Sequence, residues 1–231
     1  MIDFSSFEKK MDIVFNDKKL LEQAFIHRSY INENNGSKLS HNERLEFLGD
    51  AVLELIVTDY LYNKYPDRDE GELTAYRSAL VNAVIIGEVA HELQMNDYLL
   101  LSKGEAKDAG RARNYILANT YEAYVGAVYL DQGYDVAQKF IATTLFGKLD
   151  EIVAKKLWRD AKSLVQEKAQ EEYGVTPVYK VLHESGPDHD KHFTIGIFFA
   201  EDRIAEGKGK SKQEAEQQAA RAALEIKEWL D

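Results

Sequence analysis

Four acidic side chains around residue 46 are the strongest candidates for chemistry in this sequence. At about 100° per helical residue they fall within a sector of roughly 80° on one predicted helix face: Glu43, Glu46, Asp50 and Glu54. Like charges three or four residues apart repel by roughly a few tenths of a kcal/mol per pair. Two interpretations fit this row: a solvated helix face, and a set of ligands for a metal ion.

A second acidic position bears on that choice. The predicted helix at residues 115–130 is apolar except for Asn119, Thr120 and Glu122, and Asn119 and Glu122 share a face because they are three residues apart. A glutamate inside an apolar helix is rarely buried without a partner. It therefore pairs with an arginine such as Arg77, lies on an exposed strip, or faces the first acidic row.

In the last case four side chains would form a site made only of oxygen donors: Glu46, Asp50, Asn119 and Glu122. Such donors suit Mg²⁺ or Mn²⁺. A dication held there would neutralise a phosphodiester, lower the pKa of a bound water and stabilise the leaving oxygen. The chain has no GxxxxGK[ST] loop, which disfavours nucleoside triphosphate hydrolysis. It has no cysteine, which excludes a thiolate zinc site.

The elements that must position these side chains form two predicted domains. Residues 1–156 are almost entirely helical, with helices expected at 18–27, 41–65, 73–93, 115–130 and 135–157 and a loop at 102–114. Residues 157–160 are a predicted linker. Residues 161–231 follow an α-β-β-β-α pattern, with helices at 161–173 and 211–230 and strands at 179–183, 193–199 and 204–206. We therefore expect an all-α N-terminal domain plus a small α+β C-terminal domain.

The composition is that of an ordinary soluble protein, with 231 residues, 45% apolar residues and a net charge of −11. The acidic excess argues against a protein surface that is basic throughout and binds nucleic acid, but it permits a local basic patch. No apolar run approaches the ~20 residues of a membrane span, and the first residues lack the features of a signal peptide. We expect a cytoplasmic protein without a membrane partner.

A basic cluster opens the last predicted helix. Three lysines stand within residues 207–212 (GKGKSK), where a helix N-terminus offers free N–H groups and a positive dipole end suited to phosphate. A solubilising turn is the alternative interpretation. Because residues 160–231 carry 10 basic and 15 acidic residues, nucleic-acid binding would depend on this local cluster.

Residues 42–50 (NERLEFLGD) resemble the signature of bacterial ribonuclease III. Three weaker matches fall in the order of that family: residues 24–30 (AFIHRSY), 69–73 (DEGEL) and 116–123 (ILANTYEA). The resemblance extends over essentially the whole chain, because the C-terminal α-β-β-β-α pattern resembles a double-stranded-RNA-binding domain.

This resemblance implies a Mg²⁺-dependent endonuclease, with Mn²⁺ able to substitute, that cuts double-stranded RNA in RNA processing and maturation. Its products would carry 5′-phosphate and 3′-hydroxyl ends with short 3′ overhangs. By position, Asp50 and Glu122 match catalytic residues, Glu46, Asn119 and Glu122 match metal ligands, and Glu43 matches an additional acidic residue near the site. Phe47 matches an aromatic that packs into a partner subunit, so the resemblance implies a homodimer whose two sites cut one strand each.

The resemblance also assigns RNA contacts in the C-terminal domain, where duplex RNA is recognised largely by shape. Gln166 and Glu167 would face one minor groove, although ordinary helix-surface residues are the alternative, and His189 would reach the next groove. Four residues would span the phosphates between: Lys208, Lys210, Ser211 and Lys212. The family often has a further basic residue where Gln213 stands, so this cluster is one charge thinner.

Asn119 departs from the family, which commonly has aspartate at this position. An amide offers a carbonyl oxygen but no charge, so we expect weaker metal binding. One alternative is therefore a catalytically weakened or inactive protein of the same fold that only binds double-stranded RNA, although the retained Glu46, Asp50 and Glu122 favour an enzyme. Another is a helical metal-dependent phosphohydrolase acting on small nucleotides, against which the RNA-binding tail counts.

Overall fold

The computed structural model describes residues 3–34, 39–107, 110–154, 156, 158, 160–187 and 191–229. The chain divides into two compact units, Met1–Trp158 and Arg159–Asp231. The first is helical, and the second combines a three-stranded sheet with two helices. The predicted fold class, an all-α domain plus a small α+β domain, is confirmed.

The described part of the first unit contains nine α-helices: α1 (Ser5–Met11), α2 (Lys18–Ala24), α3 (Arg28–Glu33), α4 (Glu43–Lys64), α5 (Glu70–Leu80), α6 (Ala83–Glu92), α7 (Arg111–Gln132), α8 (Tyr134–Thr144) and α9 (Phe146–Ala154). Two short 3₁₀ helices, Met95–Tyr98 and Glu105–Lys107, lie between α6 and α7. The loop predicted at residues 102–114 is too long, because α7 already begins at Arg111.

Two helix breaks divide segments that were predicted as continuous. The side chain of Asn82 accepts hydrogen bonds from the backbone N–H groups of Val84 and Ile85, and this cap starts α6. The prediction of a single helix at residues 73–93 is therefore wrong. The prediction of a single helix at residues 135–157 is also wrong, because the helix breaks between α8 and α9. The apolar periodicity continues across both breaks because the flanking helices pack on the same core.

Helix α7 is central in the first unit. Most of its residues between 117 and 128 are buried, and it contacts α2, α4, α6 and α8. This burial explains why its sequence is so apolar.

Within the described residues, no single helix is long and apolar enough to cross a membrane. Helices α5 and α6 pass that test only as a pair, across a 45° bend.

The second unit consists of α10 (Ala161–Tyr173), β1 (Val178–Ser185), β2 (His192–Phe199), β3 (Asp202–Gly209) and α11 (Lys212–Ile226). The strands are antiparallel in the order β1-β2-β3, and each is longer than predicted. Ile197 and Phe199 pack with Val165 of α10 and Ala219 of α11. A Cβ atom on Gly207 would overlap the backbone of Ala219, so this glycine lets α11 lie directly against β3.

Candidate active site and RNA-binding surface

Helices α4 and α7 cross closely because a glycine of each helix lies at the contact. A Cβ atom on Gly49 would overlap the carbonyl oxygen of Glu122, and one on Gly126 would overlap the carbonyl oxygen of Leu45. Any larger side chain at either position would force the two backbones apart. The crossing therefore determines which side chains of the two helices meet beside it.

The four side chains proposed from the sequence as an oxygen site come together at this crossing. Glu46 and Asp50 belong to α4, and Asn119 and Glu122 belong to α7. The amide of Asn119 donates a hydrogen bond to the carboxylate of Glu46. The carboxylates of Asp50 and Glu46 both lie close enough to Glu122 to affect its pKa.

The cluster carries negative charge that repels itself. Burial first, and then the charges of Asp50 and Glu46, raise the pKa of Glu122 from 4.5 to about 8. Burial, followed by the charges of Glu43 and Asp50, also raises the pKa of Glu46, while the hydrogen bond from Asn119 lowers it. In the absence of a cation, Glu122 therefore holds its proton at neutral pH.

This donor set fits a divalent cation. Its oxygen atoms are the donors that Mg²⁺ and Mn²⁺ prefer, and a dication would relieve the repulsion among the carboxylates. Arg77, the possible ion-pair partner of Glu122, instead donates to the hydroxyl of Thr58 at 2.9 Å. In the described parts of the chain, no three His, Asp or Glu side chains are arranged to enclose a metal ion. Side chains of the cluster would therefore have to move to enclose a cation.

The remaining members of the acidic row lie outside this cluster. Glu43 is half-exposed, and its carboxylate lies 3.6 Å from Nη1 of Arg28 and 3.7 Å from Nδ1 of His41. Glu54 is exposed, so the interpretation of a solvated face holds for that residue. Phe47, on the same helix, exposes 83% of its surface.

Sequence reasoning missed two residues that shape the site, Gly126 and Arg28. A glycine in a helix interior costs about 1 kcal/mol relative to alanine, so Gly126 in the middle of α7 was an available signal of close helix packing. Arg28 lies in the matched segment 24–30, but its contact with Glu43 carried no signal, because it joins two different helices and follows from no helical spacing.

In the second unit the basic cluster surrounds the start of α11. Lys208 and Lys210 are exposed at the end of β3 and just after it, and Lys212 is exposed in the first turn of α11. Ser211 caps the helix by accepting a hydrogen bond from the backbone N–H of Glu214 at 3.2 Å. This arrangement presents three ammonium groups next to a helix N-terminus, the geometry expected of a phosphate-binding surface.

The other predicted RNA contacts are partly described. Gln166 and Glu167 are exposed neighbours on α10, so both side chains are accessible to a ligand. His189, predicted to reach a second minor groove, lies outside the described residues. The unit therefore presents the lysine cluster and the two α10 residues on its surface.

The fold and the site define a class of protein: a helical domain with a cluster of carboxylates between two helices, carried on one chain with an α-β-β-β-α domain that exposes a basic cluster. The ribonuclease-III-like family profile matches residues 17–149, and the double-stranded RNA binding motif matches residues 161–227. The chain belongs to the ribonuclease III family and is an endoribonuclease, which confirms the recognition made from residues 42–50.

Several relatives are similar over nearly the full length. Ribonuclease 3 of Protochlamydia amoebophila is 46% identical over 217 residues, which cover 94% of this chain and 89% of that protein. Ribonuclease 3 of Borreliella burgdorferi is 44% identical over 227 residues, which cover 98% and 92%. Both units of the chain therefore fall within the matched region.

Solved structures of the nuclease domain of ribonuclease III from Campylobacter jejuni resemble part of the chain. One has a TM-score of 0.57 and 35% identity, covering 64% of this chain and 97% of that one. Another has a TM-score of 0.55 and 36% identity, covering 62% and 98%. The latter concerns structural flexibility in a region involved in dimer formation of that nuclease domain.

Proposed function

We propose that this protein is a Mg²⁺-dependent endonuclease of double-stranded RNA, with Mn²⁺ able to substitute. The observation that carries the proposal is the meeting of Glu46, Asp50 and Glu122 at the α4–α7 crossing, in a chain that also holds the double-stranded RNA binding motif. The products would carry 5′-phosphate and 3′-hydroxyl ends with short 3′ overhangs. The cellular role would be processing of ribosomal and messenger RNA in the cytoplasm.

Glu46, Asn119 and Glu122 would hold the cation. The amide nitrogen of Asn119 donates to Glu46, which leaves the carbonyl oxygen of the same side chain available as a metal ligand. Glu122, whose pKa is about 8 without metal, would release its proton when the cation binds. A bound dication would neutralise the scissile phosphodiester, lower the pKa of a water and stabilise the leaving oxygen.

Asp50 and Glu122 would be the catalytic residues. Asp50 is the exposed member of the cluster, so a carboxylate oxygen can accept a hydrogen bond from the attacking water and take up its proton. Glu122 is more buried and is held by the central helix α7, so it would keep the water and the phosphate aligned. Gly49 and Gly126 support both roles, because they fix the separation of the two helices.

A homodimer would provide one site for each strand of the duplex. Phe47 exposes 83% of its surface, and the same unit has a cavity of about 480 Å³ whose lining includes Leu61, Tyr62, Leu73 and Arg77. We propose that Phe47 of each copy inserts into this cavity of the other copy. Such an exchange of identical contacts is the form of a two-fold symmetric interface.

The second unit would hold the duplex through seven residues: Gln166, Glu167, His189, Lys208, Lys210, Ser211 and Lys212. The first unit should fold without the second unit. The shortened chain should end at Trp158 and not at residue 156, the domain end predicted from the sequence. The ring of Trp158 packs edge-on against Tyr76 with centroids 4.8 Å apart, so this end retains that contact. The shortened chain should lose most of its duplex affinity at moderate salt.

A duplex-binding protein that does not cut is the second candidate function, and Asn119 is the observation that favours it. The amide gives the cluster one formal charge fewer than an aspartate would. Weak metal binding would then leave binding of duplex RNA by the second unit as the function of the chain.

The test is incubation of the protein with a long RNA duplex and Mg²⁺. The proposed function predicts short duplex products with 5′-phosphate ends, no cutting in the presence of EDTA, and intact single-stranded RNA and DNA duplexes of the same sequence. A bound but uncut RNA duplex would favour the second candidate. Hydrolysis of free nucleotides beside an intact duplex would favour a small-nucleotide phosphohydrolase.

A further inference from the structure

Arg28, the first residue of α3, lies beside the outermost carboxylate of the acidic row. Its Nη1 atom is 3.6 Å from Oε1 of Glu43, and 68% of its side chain is exposed. Glu43 is the first residue of α4, and its charge reaches Glu46 in the proposed site. Arg28 thus places a positive charge at the rim of a site lined with carboxylates.

The backbone that carries Arg28 is held independently of its side chain. His27 caps α3 by accepting a hydrogen bond at Nδ1 from the backbone N–H of Ser29 at 3.3 Å. The hydroxyl of Ser29 in turn accepts a hydrogen bond from the backbone N–H of Ser102 at 3.1 Å. The guanidinium can therefore move between partners while α3 stays in place.

The Arg28–Glu43 pair is poorly suited to stabilising the fold. A separation of 3.6 Å is longer than a hydrogen bond, and exposed ion pairs contribute about 0–1 kcal/mol. The side chain of Glu43 is itself 47% exposed. The pair is therefore weak enough for a stronger anion to displace the carboxylate from the guanidinium.

On the basis of the proposed function, we infer that Arg28 binds a backbone phosphate of the RNA duplex next to the scissile one. Glu43 then acts as a positioning residue, which keeps the guanidinium at the rim until the RNA arrives. A guanidinium suits this role because its planar fork of N–H donors matches two phosphate oxygens. This contact belongs to the helical unit and is separate from the lysine cluster at α11.

Electrostatics explain why a cation is needed at this position. The duplex backbone is densely charged, and the carboxylate row repels it at distances within the Debye length of about 10 Å. A guanidinium at the rim offsets part of this repulsion where a phosphate next to the reacting one would pass. Arg28 would thereby favour approach of the duplex from the α3 side of the cluster.

The test is steady-state cleavage of a short RNA duplex with Mg²⁺ over a series of KCl concentrations. Arg28→Ala should raise KM about 5- to 10-fold and change kcat less than about 2-fold, because the contact involves binding rather than the reacting atoms. The slope of log(kcat/KM) against log[KCl] should become shallower by about 1. Arg28→Lys should restore the salt dependence, because it keeps the charge, but only part of the loss in KM, because an ammonium lacks the planar fork of donors. Lys139→Ala, which removes an exposed cation paired with Asp12 at 3.7 Å, is the matched control and should change none of these values.

A double-mutant cycle tests the role of Glu43. Glu43→Gln should change KM in the unmodified background, because the guanidinium loses its partner, and should have a much smaller effect in Arg28→Ala. It should leave the Mg²⁺ concentration for half-maximal cleavage unchanged. A raised Mg²⁺ requirement, or an effect that adds fully to that of Arg28→Ala, would mean that Glu43 acts on the metal and would overturn its assignment as a positioning residue.

Duplex affinity, measured by fluorescence anisotropy without metal, distinguishes failure of this inference from failure of the proposed function. An unmodified protein that binds the duplex and never cuts it would refute the proposed function alone. In that event the inference still predicts weaker binding and a shallower salt dependence for Arg28→Ala. Unchanged duplex affinity and unchanged salt dependence in Arg28→Ala would overturn the inference, whether or not the protein cuts.

Discussion

Glu122→Gln should make the metal-free protein more stable above neutral pH, by an amount that grows with pH. The folded protein holds the proton of Glu122 up to about pH 8, whereas the unfolded chain releases it near pH 4.5. The stabilisation linked to this proton is therefore fully present below about pH 4.5 and is lost as the pH rises through about 8. Glutamine has no proton to lose in this range, so the variant escapes that loss.

The magnitude follows from the pKa of Glu122. The rise from 4.5 to about 8 corresponds to about 5 kcal/mol once the carboxylate is fully ionised, at about 1.4 kcal/mol per pKa unit. Solvent reaches part of the cluster and screens the repulsion from Asp50 and Glu46. We therefore expect about half of that value, about 2–3 kcal/mol, as the gain in free energy of unfolding for Glu122→Gln at about pH 9.

The assay is urea unfolding in EDTA from about pH 5 to about pH 9. The difference between Glu122→Gln and the unmodified protein should widen over this range, while Glu54→Gln, an exposed glutamate of α4, should follow the unmodified protein. Saturating Mg²⁺ should reverse the order, because the variant has lost a ligand. Parallel stability curves for Glu122→Gln and the unmodified protein would refute the placement of Glu122 among repelling carboxylates.

Three further predictions concern the helix crossing, the amide ligand and the lysine cluster. Gly126→Ala should lower the free energy of unfolding by about 1–3 kcal/mol, because its Cβ would overlap the carbonyl oxygen of Leu45. The control is Gly147→Ala, whose Cβ meets no atom within 4 Å. In the same urea titration this variant should be neutral or slightly stabilising. Asn119→Asp should lower the Mg²⁺ concentration for half-maximal cleavage, because it adds a charged ligand; coincident titrations would remove Asn119 from the ligand set. Lys212→Ala should weaken binding to all RNA duplexes alike, because phosphate contacts carry no sequence information, and a sequence-dependent loss in anisotropy titrations would contradict its role.

Which side chains lie near one another in the candidate site could be predicted, because this depends on helical spacing. Glu46 and Asp50 share one face of α4, and Asn119 and Glu122 share one face of α7, as the sequence indicated. The separation of the two rows could not be predicted, because it depends on the glycine contact between the helices, of which Gly126 went unrecognised. The consequence of that separation, the raised pKa of Glu122, is a property of both helices together.

The fold shows the same division between local and long-range information. The order α-β-β-β-α in the second unit follows from local periodicity, and it was predicted correctly. The division of residues 73–93 into α5 and α6 was missed, because both helices bury apolar residues in one core and the pattern does not lapse at Asn82. Asparagine is a common N-cap residue, so the sequence did contain a signal for a helix start at Asn82. The continuous apolar periodicity nevertheless favoured a single helix.

The central claim is that Glu122 is indispensable for cutting RNA and dispensable for holding it. The most direct measurement follows cleavage of an end-labelled RNA duplex with Mg²⁺, and duplex binding without metal, for the unmodified protein and Glu122→Gln. We predict Mg²⁺-dependent cutting by the unmodified protein, and no cutting but largely unchanged duplex affinity for Glu122→Gln, because the lysine cluster at α11 is untouched. Near-normal cleavage by Glu122→Gln, or an unmodified protein that never cuts with Mg²⁺ or Mn²⁺, would contradict the claim.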